Sequence, residues 1–293
     1  MRTDGLFTTH HHSQEVAVGE PVYLCPVSDI HRDNALHAET EWKQWLDYAR
    51  RERSKAMFLG LGDGLDFARA HERALLASGG EEGKGIENAL QNSCQLWADT
   101  LIEELKPIRS RFIGWMSGNH YFEFVSGDGG RKERLHSDQY IADQLGCKYL
   151  GAMSAITITL RDKRGTGSAD VRIIAHHGSG GATTVGGSLN RVQRMLRGWH
   201  ASIALMGDDH KRGIIPVGSM LSSEWHEGRP LLVDHVQYVA RTGSFLCGFM
   251  PGKSSYVVDA AYEPTSIGTI EIEMRLVRCP RTKKLTVKLR GIC

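Results

Sequence analysis

Five short apolar runs, each followed at once by Asp, His or Asn, constrain this chain more than any other feature. Residues 22–27, 57–61, 112–116, 171–175 and 203–206 have the length and composition of buried strands, and amphipathic stretches stand between them. Trp42, Trp45, Leu46 and Ala49 recur at i, i+3, i+4 and i+7, so 38–54 is expected to be a helix with that stripe on the core. Ile86, Ala89, Leu90, Trp97, Leu101 and Leu105 mark a long helix ending before Pro107, with 78–85 as a loop ahead of it. Further helices are expected over 131–145 and near 188–198, and a half-exposed strand at Ile156, Ile158 and Leu160. Strands alternating with helices predict a layered α/β fold.

With no internal repeat and no low-complexity linker, 21–293 reads as a single domain preceded by a flexible tail, 1–20, whose His10, His11 and His12 are read as solvated. Ile270, Ile272, Met274 and Leu276, then Leu285, Val287 and Leu289, alternate with charged or polar residues and predict a hairpin over about 268–291. A turn at 279–282 would set Glu271 opposite Arg290, Glu273 opposite Lys288 and Leu289 opposite Ile272. That neutralised face argues against reading the basic stretch 281–290 as a nucleic-acid contact.

The charge balance, 36 basic against 34 acidic residues, excludes binding to nucleic acid by bulk charge. No apolar run is long enough for a membrane span, and the first residues lack a signal-peptide core, so no membrane partner is expected. Six scattered cysteines without a CxxC pair point to a reducing, cytoplasmic setting. Glycine is in excess, 33 of 293. Several glycines precede the polar clusters and are expected to let the backbone turn sharply there.

Those clusters carry the chemistry. Asp29-Ile30-His31, Gly62-Asp63-Gly64-Leu65-Asp66, Gly118-Asn119-His120, His176-His177-Gly178 and Gly207-Asp208-Asp209-His210 each follow one apolar run. The C-terminal edge of strands is where open α/β sheets bind ligands. Oxygen and imidazole donors without thiolate suit manganese, iron, magnesium or zinc. Carboxylates with ligands on both sides are what a two-metal hydrolytic site requires.

In these motifs, over about residues 22–212, the chain resembles the calcineurin-like metallophosphoesterases, with the HHGSGG segment nearest to phage and bacterial members. The resemblance implies a metallophosphoesterase-like α/β sandwich and two divalent ions, Mn²⁺ first, with Fe, Zn²⁺ or Mg²⁺ as alternatives. It implies that Asp29, His31 and His210 bind the first ion, that Asp63 bridges, and that Asn119, His176 and Asp208 hold the second. His120 would be the general acid and Asp66 its orienting carboxylate. The implied reaction is phosphoester hydrolysis by a metal-bridging hydroxide. His176 and His177 compete for one ligand role, and His176 is preferred because it ends the strand. Arg32, His177, Lys211 and Arg212 are candidate substrate contacts.

Two departures from the family pattern stand out. Tyr121 replaces the acid after the Gly-Asn-His motif, and Asp208 replaces the first histidine of the last motif. Two divalent ions against two aspartates leave 4 − 2 = +2, and a third aspartate leaves 4 − 3 = +1, which favours a singly charged diester over a dianionic monoester. The expected substrate is therefore a small phosphodiester or nucleotide, with phosphomonoesters second. A DNA or RNA nuclease is an alternative within the family. A degenerate metal-binding or interaction protein without turnover is the alternative from another class. The oligomeric state is not legible.

Overall fold

The computed structural model describes residues 5–51, 55–67, 80–126, 133–178 and 182–293. Apolar side chains alternate along its strands, and each strand can therefore serve two layers at once. A six-stranded sheet is ordered β1 (Phe7–Val16), β7 (Met153–Asp162), β8 (Ser168–His176), β9 (Ile203–Met206), β11 (Arg229–Thr242), β10 (Arg212–His226). A five-stranded sheet is ordered β13 (Leu285–Ile292), β12 (Glu271–Arg278), β2 (Pro21–Val27), β3 (Ala56–Gly60), β4 (Phe112–Trp115). Ile156, Ile173 and Ile203 of the first sheet pack with Leu24, Leu59 and Met274 of the second in one dry core.

The opposite faces take the helices. Ile174, Ala204 and Val239 turn away from that core onto Leu189 and Val192 of α4 (Val185–Leu196). On the other side, Phe58 and Phe112 meet Trp42 of α1 (Glu39–Arg51), Leu101 of α2 (Gly80–Leu105) and Ile141 of α3 (Ser137–Leu145). The result is the expected α/β sandwich: two facing sheets flanked by helices. No helix among the described residues is long and apolar enough to cross a membrane.

Four local expectations are corrected. Residues 7–16 are not a tail but an edge strand, β1, paired in parallel with β7 from Phe7↔Met153 to Val16↔Asp162. Its sequence hides this because the outward side chains are polar, and the half-buried side carries His10 and His12 where a hydrophobe would have signalled a strand. Within 131–145, Glu133–His136 is a strand, β6, paired with β5 (Glu123–Ser126), and the helix begins only at Ser137. His136 caps it by accepting the Asp138 N–H, and Gly146 ends it at φ 72°. Helix α2 starts at Gly80, inside the loop expected over 78–85, of which 78–79 lie outside the described residues.

The β12–β13 hairpin exists, with its register two residues away from expectation. Glu273 faces Arg290, Arg275 faces Lys288, Met274 faces Leu289 and Glu271 faces Ile292. The turn is longer than a tight one: Cys279 N–H donates to Lys284 and Lys283 N–H back to Cys279.

Candidate metal centre

In the second sheet β2, β3 and β4 are parallel, and in the first β8 and β9 are parallel, so the residues after each strand emerge at a common rim. Three carboxylates and three imidazoles converge there. Asp29 is fully buried, His31, Asp63 and His177 nearly so. Asp29, His31 and His210 form one group whose ligand atoms lie within 4.8 Å of one another; Asp29, Asp63 and His177 form a second. Asp29 thus belongs to both, whereas Asp63, the expected bridge, belongs to the second alone.

Backbone conformation, more than glycine, aims these side chains. Asp29, His31, Asp63, Asp208 and His210 all occupy the left-handed region, at φ 51°, 47°, 49°, 72° and 57°. Such residues cost free energy and persist where their surroundings hold them. The Asp29 carbonyl accepts from the Phe245 N–H at 3.0 Å and the Ser244 hydroxyl at 2.9 Å, and its carboxylate from the Ser28 hydroxyl and the Asp208 N–H. The expectation that glycines make these turns is corrected for Gly118 and Gly207, whose contribution is clearance. A Cβ on Gly207 would stand 2.7 Å from Asp29 Oδ2, and one on Gly118 would overlap the Asp63 carboxylate.

The donor set fits divalent cations. His31 Nε2 and His210 Nε2 face each other at 3.3 Å, 4.0 and 3.5 Å from Asp29 Oδ1. Two ring nitrogens that close share a proton or a cation. His177 Nδ1 is tied to the Leu61 carbonyl at 2.6 Å, which aims Nε2 at Asp63 Oδ2, 3.1 Å away. Among the described residues that buried Nε2 has no partner besides this carboxylate, which it meets in poor hydrogen-bond alignment. Burial pulls the His31 and His177 pKa values down, but the surrounding carboxylates outweigh it and push them up to about 9 and about 10. The same imidazoles hold Asp63 well below the usual carboxylate range against its own burial. Without a cation, protons on His31 and His177 offset the carboxylates. Burial brings His210 down to about 4, so it offers a bare lone pair at neutral pH.

The preference for His176 over His177 is corrected. His176 Nδ1 accepts the Gly178 N–H at 2.8 Å, and His176 joins neither ligand group, because successive residues at a strand end point to opposite sides. Asn119 and Asp208 bind each other, Nδ2 to Oδ1 at 2.6 Å, with Asp208 Oδ1 3.9 Å from His177 Nε2. Burial raises the Asp208 pKa.

Beside the ligand groups lies a second unit. His120, 22% exposed in its side chain, holds Asp66 Oδ1 through Nδ1 at 2.8 Å. His31 Nδ1 is 3.4 Å from the same oxygen, and Asn34 donates to Oδ2. Burial disfavours the His120 cation, but hydrogen bonding to Asp66 and the charges of Asp63 and Asp66 raise its pKa on balance; Asp66, bonded to both imidazoles, is held far below its usual range.

The expected substrate contacts fare differently. Arg32 is committed to structure: its guanidinium pairs with Glu104 at 2.8–3.0 Å and with Glu39 at 3.0 Å. Arg212 Nη1 donates to the Ile267 carbonyl at 3.1 Å, which anchors a neighbouring loop. Lys211 binds through its backbone, N–H to Asp209 Oδ1 at 3.3 Å. Tyr121 stacks on His136 with centroids 4.1 Å apart, while Phe122 and Phe124 are buried.

Two supporting residues escaped the sequence reading. Asp138 is buried at the start of α3 and accepts from Trp115 Nε1 at 2.9 Å and the Gly118 N–H at 3.0 Å, which fixes the loop carrying Asn119 and His120. Arg241 is fully buried beneath the Asp208 loop, donating to the Gly207 carbonyl and lying 3.5 Å from Asp209 Oδ2. A lone Asp at a helix start or a lone Arg in a strand carries no motif. The signal that could have found them is the cost of burying a charge without a partner.

No model of a known protein family matches this chain, and no curated protein sequence does. Among solved structures it is similar to a single-mutant Vps29 from Entamoeba histolytica, at 14% identity and TM-score 0.35 over 92% of this chain and 98% of that one. It is also similar to a conserved uncharacterized protein from Streptococcus pneumoniae described as a predicted phosphoesterase, at 11% identity and TM-score 0.34 over 93% and 98%. Likeness at that level leaves the chemistry to be argued from the site's own residues.

Proposed function

We propose that this chain is a dinuclear metal-dependent phosphoesterase acting on phosphodiesters, with phosphomonoesters as secondary substrates. The observation that carries the reading is the convergence of two Asp/His ligand groups sharing Asp29 beside a His120–Asp66 pair. Asp29, His31 and His210 would hold one cation. Asp63 and His177, with Asn119 and Asp208 alongside, would hold the other. Two such ions, Mn²⁺ in first place, supply Lewis-acid stabilisation of a phosphoryl group and a nucleophile at neutral pH.

The remaining work belongs to the chain. His120 is the proton donor: its Nε2 delivers a proton to the departing alcohol oxygen, while Asp66 fixes the ring and favours its charged form. The Gly118 and Gly207 clearances make room for the Asp63 and Asp29 carboxylates. The sign of the pH dependence follows: the rate requires protonated His120, so it falls as pH rises through a pKa held above 6.5. Asp66→Asn removes the charged hydrogen-bond partner that does most to raise that pKa and is expected to move that alkaline limb to lower pH, as a kcat/KM profile would record. A limb that stays in place would exclude His120 as the titrating acid.

The deciding experiment is a phosphoester panel, from monoester to diester to single-stranded DNA, across Mn²⁺, Mg²⁺ and Zn²⁺. Mn²⁺-dependent diester hydrolysis exceeding monoester hydrolysis is expected, with Asp208→His shifting the ratio toward monoesters. Preferred cleavage of DNA would favour the nuclease reading. Two bound equivalents of metal without turnover would leave a metal-binding protein.

A further inference from the structure

The β10–β11 hairpin outruns its sheet. Pairing between the two strands continues to His226↔Arg229, whereas β9 holds β11 only over Tyr238–Arg241. Residues 219–236 therefore form a two-stranded ribbon, an arrangement of marginal stability by itself. Along β11 the side that carries Ala240 and Tyr238 into the inter-sheet core continues, two residues at a time, through Val236, Asp234, Leu232 and Pro230. In register with them on β10 stand Ser219, Leu221, Ser223 and Trp225.

Out on the ribbon this side is uncovered: Trp225 is 72% exposed, Leu221 65%, Leu232 62% and Val236 42%. The other side is half-buried and carries the polar contacts, Glu224 to Lys284 at 2.9 Å and Ser222 to His235 at 3.4 Å. That covered side also carries Met220, Leu231 and Val233, so the ribbon has apolar residues on both sides and only one of them is packed. At roughly 150–250 Å² for a large side chain, the four residues expose about 470 Å² per copy. Two such faces together carry about 950 Å² of exposed apolar side chain, to which the serines, Pro230 and backbone add, so full contact would approach the lower end of specific interfaces, about 1,200 Å².

We propose that the ribbon is a homodimer interface, two copies packing this face antiparallel about a two-fold axis. The order of side chains suits a second copy. From base to tip the rungs read Ser219/Val236, Leu221/Asp234, Ser223/Leu232 and Trp225/Pro230. Reversal lays Trp225 over the other copy's Ser219 and Leu221 over its Ser223, large on small, as an isologous contact requires. Asp234 is the one charge among these eight residues, and the same reversal sets it over the other copy's Leu232, the least favourable pair of the contact.

Light scattering after gel filtration of the full chain, from about 5 to 200 µM, tests this. The expected mass is twice 32.5 kDa at the upper concentrations. The Trp225→Ser, Leu232→Ser double variant is expected to raise the dissociation constant at least about 30-fold. Leu96→Ser on α2, 66% exposed, removes an equally exposed leucine elsewhere and is expected to leave it unchanged. Hydrogen exchange of the unmodified chain supplies an independent measure: amides of 219–236 should gain protection as concentration rises. A monomer throughout, a dimer indifferent to the double variant, or exchange in the ribbon independent of concentration would overturn the proposal.

Discussion

Asp29→Asn is expected to strip both cations from the site and lower diester hydrolysis at least about 10³-fold. Among the described residues Asp29 is the carboxylate that belongs to both ligand groups, so losing its charge would weaken two sites at once. Several kcal/mol of Lewis-acid stabilisation disappears with the ions, and about 4 kcal/mol corresponds to 10³ in rate. The fold should survive. Asparagine tolerates the left-handed backbone at this position, φ 51°, about as well as aspartate does, and its side-chain oxygen can still accept the Asp208 N–H at 3.1–3.2 Å. Elemental analysis alongside circular dichroism separates the outcomes. Two retained equivalents with lost turnover would place the effect on chemistry rather than on binding.

His120→Ala should do the reverse, keeping metal and losing rate. General acids contribute about 10²–10⁴-fold, and that full loss is expected for a diester whose leaving group is a poorly acidic alcohol. For bis-p-nitrophenyl phosphate, whose leaving group departs without a proton, the loss should be much smaller. The dependence on leaving group is the informative quantity, because mere disturbance of the neighbouring Asn119 would slow both substrates alike. Equal losses would remove His120 from the proton-transfer role and leave the two-cation reading intact.

The strand ends were legible because burial and chemistry are written close together there: an apolar run announces the strand, and the next residues announce the ligand. The same locality explains the misses. Choosing between His176 and His177 depends on how the chain leaves β8, and the Leu61 carbonyl that orients His177 is 116 residues away. Arg32 looks like a phosphate ligand until Glu104, 72 residues on, takes both faces of its fork. Strand β1 lacks a hydrophobic signature since an edge strand needs only half of one face covered. The hairpin register depended on turn length, and alternation alone fits any shift by two residues equally well.

The left-handed backbone at five ligand positions bears on how this chain would change if its chemistry were no longer wanted. Such conformations cost of order 1–3 kcal/mol each. A glycine there would relax the backbone, and at Asp29, Asp63 or Asp208 it would remove a buried carboxylate in the same step. A lineage released from catalysis would therefore gain stability by eroding this rim first, while the sheets and helices beneath stayed as they are. The loops that make the site are the part of the fold with the most to gain from losing it.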